Sequence, residues 1–370
     1  MTGFVPPPYP YDRLDPLRAV ADRLPGGVVD LSVGTPMDPP PVAAVEALAG
    51  PDTARPYPVS VGTEAYREAA AGWLQRRFDV RVPLDALAAC VGTKEFVASA
   101  PAMLRLRRPD RDTVLYPEVS YPTYAMGATL AGCRAVTVAV DADWRIDLGS
   151  IAEEDLARAV CLWVNTPGNP AGALDDLAAA AELGRDHDVP VLSDECYAEF
   201  TWAGPPRTVL SSGLDGVLAV HSLSKRSNLA GVRAGFYAGD PALVEYLREV
   251  RKHAGLMVPG PVQAAAVVAW TDQEHVQRQR ERYERRLHTA IEALQRAGLE
   301  ARMPEGAFYL WVPAPDGDGW SLAEWLAEEA GALVSPGEFY GPAGAGYVRV
   351  AVVQPDERLE LVAERLVAGR

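Results

Sequence analysis

The feature that most constrains this chain is an alternation of short apolar segments with longer helical ones between residues 86 and 240. The apolar segments are rich in β-branched residues and are predicted as strands at 87–91, 113–116, 135–140, 160–165, 189–194, 218–221 and 235–238. A helix is predicted at 174–186, where Leu174, Leu177 and Leu183 share one face. Strands alternating with helices form crossover units, so the pattern predicts an α/β fold with a largely parallel sheet.

From Pro241 the pattern changes to long helices and then to short strands. The stretch 271–297 carries arginine and glutamate three and four residues apart, which is typical of a solvated helix. Strands are predicted near 307–312 and 347–350, with a closing helix at 356–367. A chain of 370 residues accommodates about two domains. We therefore predict a large domain at 41–255 and a smaller α+β domain formed by 1–40 and 256–370.

Charge and cysteine usage exclude several classes of protein. A net charge of −15 argues against a nucleic-acid surface, and no apolar run reaches the 18 residues of a membrane span. The proline-rich start lacks the order of a signal peptide. The four cysteines lie far apart and are expected to be reduced thiols, as in a cytoplasmic protein. The five histidines form no ligand pair, so no metal site is expected.

Two segments of the predicted large domain suit an anion such as phosphate. Gly92, Thr93 and Lys94 follow a predicted strand and open a helix, whose free N–H groups and dipole attract negative charge. An ordinary turn capped by Thr93 is the alternative for this segment taken alone. In the second segment, the hydroxyls of Ser222 and Ser224 are followed by Arg233, and such groups together can clamp a phosphate.

Amine and carboxylate chemistry is restricted to few residues. The chain has three lysines, Lys94, Lys225 and Lys252, and Lys225 lies beside the serines of the phosphate segment. A lysine beside cationic groups can act as an imine-forming nucleophile. Asp194 ends a predicted strand, where a carboxylate can pair with a protonated ring nitrogen. A phosphate clamp, an imine lysine and such a carboxylate together describe the requirements of pyridoxal 5′-phosphate, whose protonated ring is an electron sink.

The order of these motifs resembles the fold-type I pyridoxal-phosphate aminotransferases of class I and II. The resemblance covers nearly the whole chain, and it rests on the motifs G-T-K, N-P-x-G, D-E-x-Y, S-x-S-K and R-x-G in this order. More narrowly, the segments 92–95, 193–197, 221–231, 250–255 and 337–342 look like those of the actinobacterial N-succinyldiaminopimelate aminotransferases of lysine biosynthesis. The resemblance to the fold-type I aminotransferases implies a seven-stranded, mostly parallel sheet in the large domain and a homodimer with a shared active site.

The resemblance also implies a role for each matching residue. Lys225 would bind the cofactor aldehyde and then move a proton, Asp194 would pair with the ring nitrogen, and Tyr197 would hydrogen-bond the ring oxygen. The implied cofactor-binding set is Gly92, Thr93, Lys94, Tyr121, Asn169, Asp194, Tyr197, Ser222, Ser224, Lys225 and Arg233, with Tyr57 from a second subunit. The implied substrate-binding set is Gly34, Asn169 and Arg349, of which Arg349 would grip the α-carboxylate.

The implied reaction is a ping-pong amino transfer between an amino acid and a 2-oxo acid, with glutamate as donor and N-succinyl-LL-2,6-diaminopimelate as the second substrate. Ala171 and Gly168 replace the threonine and serine common beside Asn169, so the pocket can differ from that of lysine-pathway enzymes. Arg18, Arg23 and Arg251 are all candidates for binding the distal carboxylate of such a substrate.

The alternative is a pyridoxal-phosphate enzyme of specialised metabolism that performs elimination, replacement or carbon–carbon bond formation. A transcription regulator and a nicotinamide dehydrogenase are rejected, because no DNA-binding module and no G-x-G-x-x-G after a first strand are present.

Overall fold

The computed structural model describes residues 4–50 and 53–368. In this part of the chain the helices are α1 (Asp15–Ala21), α2 (Val42–Ala47), α3 (Glu64–Phe78), α4 (Thr93–Arg107), α5 (Thr123–Leu130), α6 (Glu153–Ala157), α7 (Leu177–Asp186), α8 (Leu223–Arg226), α9 (Pro241–His253), α10 (Gly260–Thr271), α11 (Glu274–Arg296), α12 (Gly319–Ala330) and α13 (Asp356–Ala368). The strands are β1 (Val29–Asp30), β2 (Leu87–Cys90), β3 (Thr113–Pro117), β4 (Arg134–Val138), β5 (Ala159–Asn165), β6 (Val191–Asp194), β7 (Val217–Ser222), β8 (Gly235–Gly239), β9 (Tyr309–Pro313), β10 (Ala332–Leu333), β11 (Ser335–Pro336) and β12 (Tyr347–Ala351). None of the described helices combines the length and the apolar character needed to cross a membrane.

The chain divides into two compact units. The large unit comprises Thr35–Arg282 and Pro304–Ala307, and the small unit comprises the chain up to Gly34, Tyr283–Met303 and the chain from Phe308 onward. These bounds differ from those of the predicted domains. The reason is α10, which packs against α2 and α3 and buries Ala266, Ala269 and Trp270 in the core of the large unit.

The large unit is built around a seven-stranded sheet with the order β2-β8-β7-β6-β5-β3-β4. Six strands point the same way, and β8 is antiparallel to both of its neighbours. Along β5, Leu162 and Val164 enter one apolar cluster, whereas Cys161 and Trp163 enter another. Burial of both faces is typical of parallel sheets covered by helices. Each of the seven predicted strands overlaps one of these strands, which confirms the predicted α/β fold.

Two helix boundaries differ from the prediction because aspartates act as caps. The helix predicted from residue 174 begins at Leu177, since Asp176 accepts hydrogen bonds from the N–H groups of Ala178 and Ala179, each at 3.1 Å. The single helix predicted at 271–297 is divided near its start. There, Asp272 follows α10 and accepts the N–H of Glu274 at 2.8 Å to begin α11.

The small unit contains two short sheets. Its antiparallel sheet has the order β11-β12-β9, and its second sheet pairs β1 with β10 in parallel. The helices α1, α12 and α13 lie within this unit, and its apolar interior includes Leu31, Leu294, Leu326 and Val350.

Candidate active site

Polar residues stand where several strands of the large sheet end. β5 ends at Asn165, β6 at Asp194 and β7 at Ser222, and Gly92 follows the end of β2. Because these four strands point the same way, their carboxyl ends lie along one edge of the sheet. Ligands of open α/β sheets bind beyond this edge, so the observed placement supports a site there.

The start of α4 forms a cradle around an arginine. Gly92 precedes the helix with φ of +75°, and a Cβ built on it would lie 2.2 Å from Nη2 of Arg233. The guanidinium therefore occupies the space that a side chain would fill, beside the helix end where N–H groups are free. A cation held at a helix N-terminus suits a dianion such as a phosphate ester.

Two further segments belong to this edge. Ser222 caps α8, because its hydroxyl accepts the N–H of Ser224 at 3.0 Å. The N–H of Leu223 donates to the carbonyl of Ala234, which is adjacent to Arg233. Ser222 and Ser224 at the end of β7 are thus held beside Arg233, which precedes β8.

Asp194 is a buried carboxylate with few donors. Its Oδ2 accepts the hydroxyl of Tyr124 at 3.1 Å, and its Oδ1 accepts the N–H of Cys196 at 3.2 Å. Burial raises the pKa of Asp194 above its ordinary value, although these hydrogen bonds act in the opposite sense. A cation such as a protonated pyridine nitrogen would stabilise the ionised form, so the residue fits the predicted cofactor.

Asn165 joins two predicted cofactor-binding residues. Its Nδ2 donates to the carbonyl of Asp194 at 2.8 Å, and its Oδ1 accepts the N–H of Asn169 at 2.8 Å. Asn165 and Asp194 are also register partners on β5 and β6. This one buried side chain therefore fixes the backbone of both residues.

The remaining predicted residues of the large unit lie in different environments. Lys225 is half-buried on α8, whereas Lys94 and Lys252 are exposed. Tyr197 is buried directly after the β6 segment, and the ring of Tyr121 lies 6.1 Å from that of Tyr124 in an edge-on arrangement. Lys225 is thus the only one of the three lysines that is shielded from solvent.

Tyr57 is not part of the site of its own chain in any visible way. Its side chain is 94% exposed, although tyrosine has a large apolar ring. Its ring is therefore available for contact with a second molecule.

In the small unit, Arg349 on β12 is buried among tyrosines. Its guanidinium carbon lies 4.2 Å from the ring centre of Tyr309 and 4.9 Å from that of Tyr340, and one nitrogen donates to the carbonyl of Ser32. The hydroxyl of Tyr11 lies 3.4 Å from the same nitrogen. Stacked aromatic faces of this kind orient a guanidinium and suit it to bidentate carboxylate binding.

Gly34 is required by this tyrosine cluster. A Cβ on Gly34 would lie 2.0 Å from the hydroxyl of Tyr309, so no side chain fits there. Packing against Tyr309 therefore explains the glycine within the small unit. The resemblance implies a second reason, which is that a glycine lets the backbone approach the substrate.

Two of the three arginines considered for a distal carboxylate already bind acidic side chains. Arg18 pairs with Asp30 at 2.5 Å. Arg251 is buried and donates two hydrogen bonds to Glu95 in the first turn of α4, at 2.9 and 2.6 Å. Arg251 therefore supports the helix that carries Thr93 and Lys94.

Sequence analysis did not identify Asn165 or Tyr124 as site residues. The signal for Asn165 was available, since it is a polar residue at the carboxyl end of a predicted buried strand. Tyr124 lies three residues after Tyr121, but nothing in the sequence indicates that its hydroxyl reaches a residue 70 positions away.

Comparisons with known proteins identify the family of this chain. The family model described as aminotransferase class I and II matches residues 26–366. A 4-dedimethylamino-4-oxo-anhydrotetracycline transaminase of Streptomyces rimosus is 44% identical, over 97% of this chain and 99% of that protein. An LL-diaminopimelate aminotransferase of Aquifex aeolicus is 35% identical, over 97% of this chain and 96% of that protein.

A solved structure shows a similar fold over the same length. It is that of a probable N-succinyldiaminopimelate aminotransferase from Thermus thermophilus, with a TM-score of 0.87 and 32% identity. The match covers 98% of this chain and 100% of that structure.

Proposed function

The chain belongs to the class I and II aminotransferases, which depend on pyridoxal 5′-phosphate, and we propose that it moves the amino group of L-glutamate to a carbonyl substrate in two half-reactions. The observation that carries this proposal is the single sheet edge on which the arginine-filled helix start and the buried Asp194 carboxylate stand. The helix start with its arginine suits a phosphate, and the Asp194 carboxylate suits a protonated ring nitrogen.

The residues of the large unit divide the work of holding the cofactor. We assign its phosphate to the first turn of α4, to Ser222 and Ser224, and to Arg233. Asp194 would pair with the ring nitrogen, Asn169 and Tyr197 would bind the ring oxygen, and Tyr121 would cover a ring face. When bound, pyridoxal 5′-phosphate supplies an electron sink for the bonds at the substrate α-carbon.

Lys225 is the base of the proposed reaction. With the cofactor bound, its Nζ would move the proton between the substrate α-carbon and the cofactor carbon C4′. The role is assigned to Lys225 because Lys94 and Lys252 are exposed. An ionised Asp194 would pair with the protonated ring nitrogen of the bound cofactor and would keep the ring electron-poor. In the small unit, Arg349 binds the substrate α-carboxylate, held in orientation by the rings of Tyr309 and Tyr340.

We propose a diaminopimelate-type acceptor, the 2-oxo precursor of N-succinyl-LL-2,6-diaminopimelate, as the second substrate. The Thermus structure and the Aquifex relative support it, since both names refer to diaminopimelate. A polycyclic ketone of specialised metabolism is the second candidate, because the Streptomyces transaminase of 44% identity is named for such a substrate.

We also propose that the active protein is a homodimer in which Tyr57 serves the site of the partner subunit. The 94% exposure of Tyr57 in a single chain supports this role. A homodimer with twofold symmetry would form two such sites.

The absorption spectrum of the cofactor tests the proposed reaction. L-Glutamate should remove the visible band of the purified protein and give the spectrum of the amine form, and 2-oxoglutarate should restore the visible band. A protein with Lys225→Ala should show neither change. The amine form is then mixed with succinylated 2-amino-6-oxopimelate or with a tetracyclic ketone, and the substrate that restores the band identifies the acceptor.

If the visible band is present and glutamate leaves it unchanged, the proposed donor is wrong. If no band forms after reconstitution with cofactor, the assignment of Lys225 is wrong.

A further inference from the structure

A buried carboxylate near the candidate site is held by three side chains. Oε1 of Glu199 accepts the indole N–H of Trp73 at 2.7 Å and Nε–H of Arg226 at 2.9 Å. Its Oε2 lies 2.8 Å from Nε of Arg77. Burial alone would raise the pKa of Glu199, but the charges of Arg226 and Arg77 hold that pKa below its ordinary value. The carboxylate is therefore ionised in the folded protein at neutral pH.

Arg226 is fully enclosed by the large unit. Its Nη1 donates to the carbonyl of Ala269 at 2.5 Å, its Nη2 donates to that of Asp272 at 3.3 Å, and its guanidinium lies 5.0 Å from the ring of Trp270. These contacts tie the turn of α8 to the end of α10. With its Nε–H already bound to Glu199, the guanidinium has little freedom to move.

The two members of this pair occupy informative positions in the chain. Arg226 directly follows Lys225, and Glu199 lies two residues after Tyr197. The pair thus connects the α8 turn with the segment after β6 through one hydrogen bond. Consecutive residues in a helical turn point about 100° apart, so anchoring Arg226 in the core sets the direction of Lys225.

We infer that the Glu199–Arg226 pair is a positioning device that fixes Lys225 relative to Tyr197. This inference rests on the proposed cofactor-binding roles of those two residues. Neither Glu199 nor Arg226 is proposed to touch cofactor or substrate. Their effect is transmitted through the backbone that each shares with its functional neighbour.

Stability alone does not account for a pair of this kind. Desolvation of two charges offsets most of their attraction, and apolar residues of similar volume often give equal or greater stability in its place. An apolar pair, however, lacks the direction and fixed length of a hydrogen bond, so it would fill the space without setting the distance between two turns. The pair therefore has a predicted functional effect separable from its effect on folding.

The decisive variant replaces both charges, as Glu199→Leu with Arg226→Met. Its denaturation midpoint without cofactor should fall, because Trp73 and Arg77 lose the Glu199 carboxylate, so a destabilised control variant is needed. Its dissociation constant for pyridoxal 5′-phosphate should rise at least about tenfold, the scale of a lost hydrogen bond to a charged group. The midpoint pH at which the visible band titrates should also move, because Tyr197 and Lys225 no longer keep a fixed separation.

Arg111→Met is the matched control in the same unit. Arg111 is also buried, and it donates to the carbonyls of Ala159 and Asp188 at the opposite end of β5. This variant should lower the denaturation midpoint and leave both cofactor readouts unchanged. If the double variant does not fold, Arg226→Lys replaces it in the experiment. Arg226→Lys keeps the positive charge and should raise the dissociation constant for the cofactor to a smaller extent.

Two outcomes separate the inference from the proposed function. If the wild type forms no visible band, the proposed function fails. If the wild type behaves as proposed and the folded double variant, or Arg226→Lys in its place, has the wild-type affinity and titration midpoint, the pair has no positioning role. A shift of equal size in Arg111→Met would likewise overturn the inference.

Discussion

At the scale of single residues, the Asp194 carboxylate depends on a hydroxyl that the resemblance does not assign. Tyr124 donates to Oδ2 of Asp194 at 3.1 Å, and both groups are buried. This hydrogen bond acts against the rise in the pKa of Asp194 that burial causes. Tyr124 therefore favours the ionised form that would pair with a protonated ring nitrogen.

Tyr124→Phe removes only this donor. We expect the dissociation constant for pyridoxal 5′-phosphate to rise by about three- to tenfold, because a net hydrogen bond is worth about 1 kcal/mol. Fluorescence titration of the apo-protein with cofactor measures the change. Tyr246→Phe is the matched control, since the Tyr246 hydroxyl donates to the carbonyl of Met103 at 2.8 Å, and it should leave the affinity unchanged. Equal affinities for the two variants would contradict the assigned role.

Gly92 and Gly213 both have a positive φ, but only Gly92 lies against Arg233, so alanine substitutions at the two positions can be compared. Alanine at Gly92 would strain a backbone with φ of +75° and would also displace the Arg233 guanidinium. Alanine at Gly213 would strain a backbone with φ of +96°, but nothing lies within 4 Å of its Cβ. Both backbones lie in a positive-φ region that is essentially restricted to glycine, so both substitutions should reduce the free energy of unfolding by about 1–3 kcal/mol.

The two glycine variants should differ in cofactor binding. Gly92→Ala should weaken the binding of pyridoxal 5′-phosphate at least tenfold, whereas Gly213→Ala should not change it. Inorganic phosphate, tested as a competitor, should likewise bind less tightly to Gly92→Ala. If both variants bind cofactor and phosphate equally well, the cradle does not hold the phosphate.

At the scale of elements, the pattern of apolar residues predicts the strands more accurately than the first residues of the helices. A buried strand is a run of apolar residues, so all seven strands of the large sheet could be predicted. The start of α7 depends on which of two adjacent aspartates is the cap. Asp176 caps the helix, whereas Asp175 is buried and accepts hydrogen bonds from the Thr166 hydroxyl and the Ile146 N–H. Sequence does not distinguish these two roles, because both residues have the same chemistry.

The candidate site shows the same division. Lys225, Asp194 and Arg233 could be proposed as site residues from the sequence, because Asp194 ends a predicted strand, Lys225 follows one and Arg233 precedes one. The contacts of Tyr124 with Asp194 and of Glu199 with Arg226 join residues 70 and 27 positions apart. Such partners depend on the packing of the fold and cannot be predicted from spacing.

Asp175, in the segment that carries Asn169, is expected to make the free energy of unfolding depend on pH. Burial raises the pKa of Asp175 to about 6, and Asp141 adds to the effect, despite the hydrogen bonds that Asp175 accepts. Since the folded-state pKa exceeds the ordinary value near 4 of the unfolded chain, this group stabilises the fold most below about pH 4. That contribution is lost as the pH rises through about 6.

Asp175→Asn should remove this dependence. The free energy of unfolding of the variant minus that of the wild type should increase by about 2 kcal/mol between pH 4 and pH 7.5. Denaturant titrations at several pH values measure it. Asp176→Asn controls for the substitution itself, because Asp176 is exposed and asparagine caps a helix equally well. A difference for Asp175→Asn that stays constant with pH would contradict the assignment.

At the scale of the whole molecule, the limits of the two units differ from those of the domains predicted from the sequence. The helix α10 follows the large sheet in the chain and resembles the helices of the predicted small domain in its length. Its apolar residues pack against α2 and α3, which assigns it to the large unit. Sequence spacing indicates that such a helix buries a face, but not which partner covers it.

The exposure of Tyr57 leads to the prediction that concerns the assembly. If Tyr57 serves the partner subunit, a Lys225→Ala chain and a Tyr57→Ala chain form a hybrid dimer with one intact site. That site combines Lys225 of one chain with Tyr57 of the other. Free exchange of equal amounts should make half of the dimers hybrid, so the mixture should recover about one quarter of the wild-type sites.

Amino transfer from glutamate measures the recovery after the two variants are mixed, unfolded and refolded together. The Lys225→Ala homodimer lacks the base in both sites, and the Tyr57→Ala homodimer binds its cofactor less tightly. At limiting cofactor, the mixture should therefore be more active than either variant alone. A chain with both substitutions, mixed with Lys225→Ala, should gain nothing, because no dimer then contains Lys225. If mixing Lys225→Ala with Tyr57→Ala also gives no gain while differently tagged chains co-purify as hybrid dimers, Tyr57 does not serve the partner subunit.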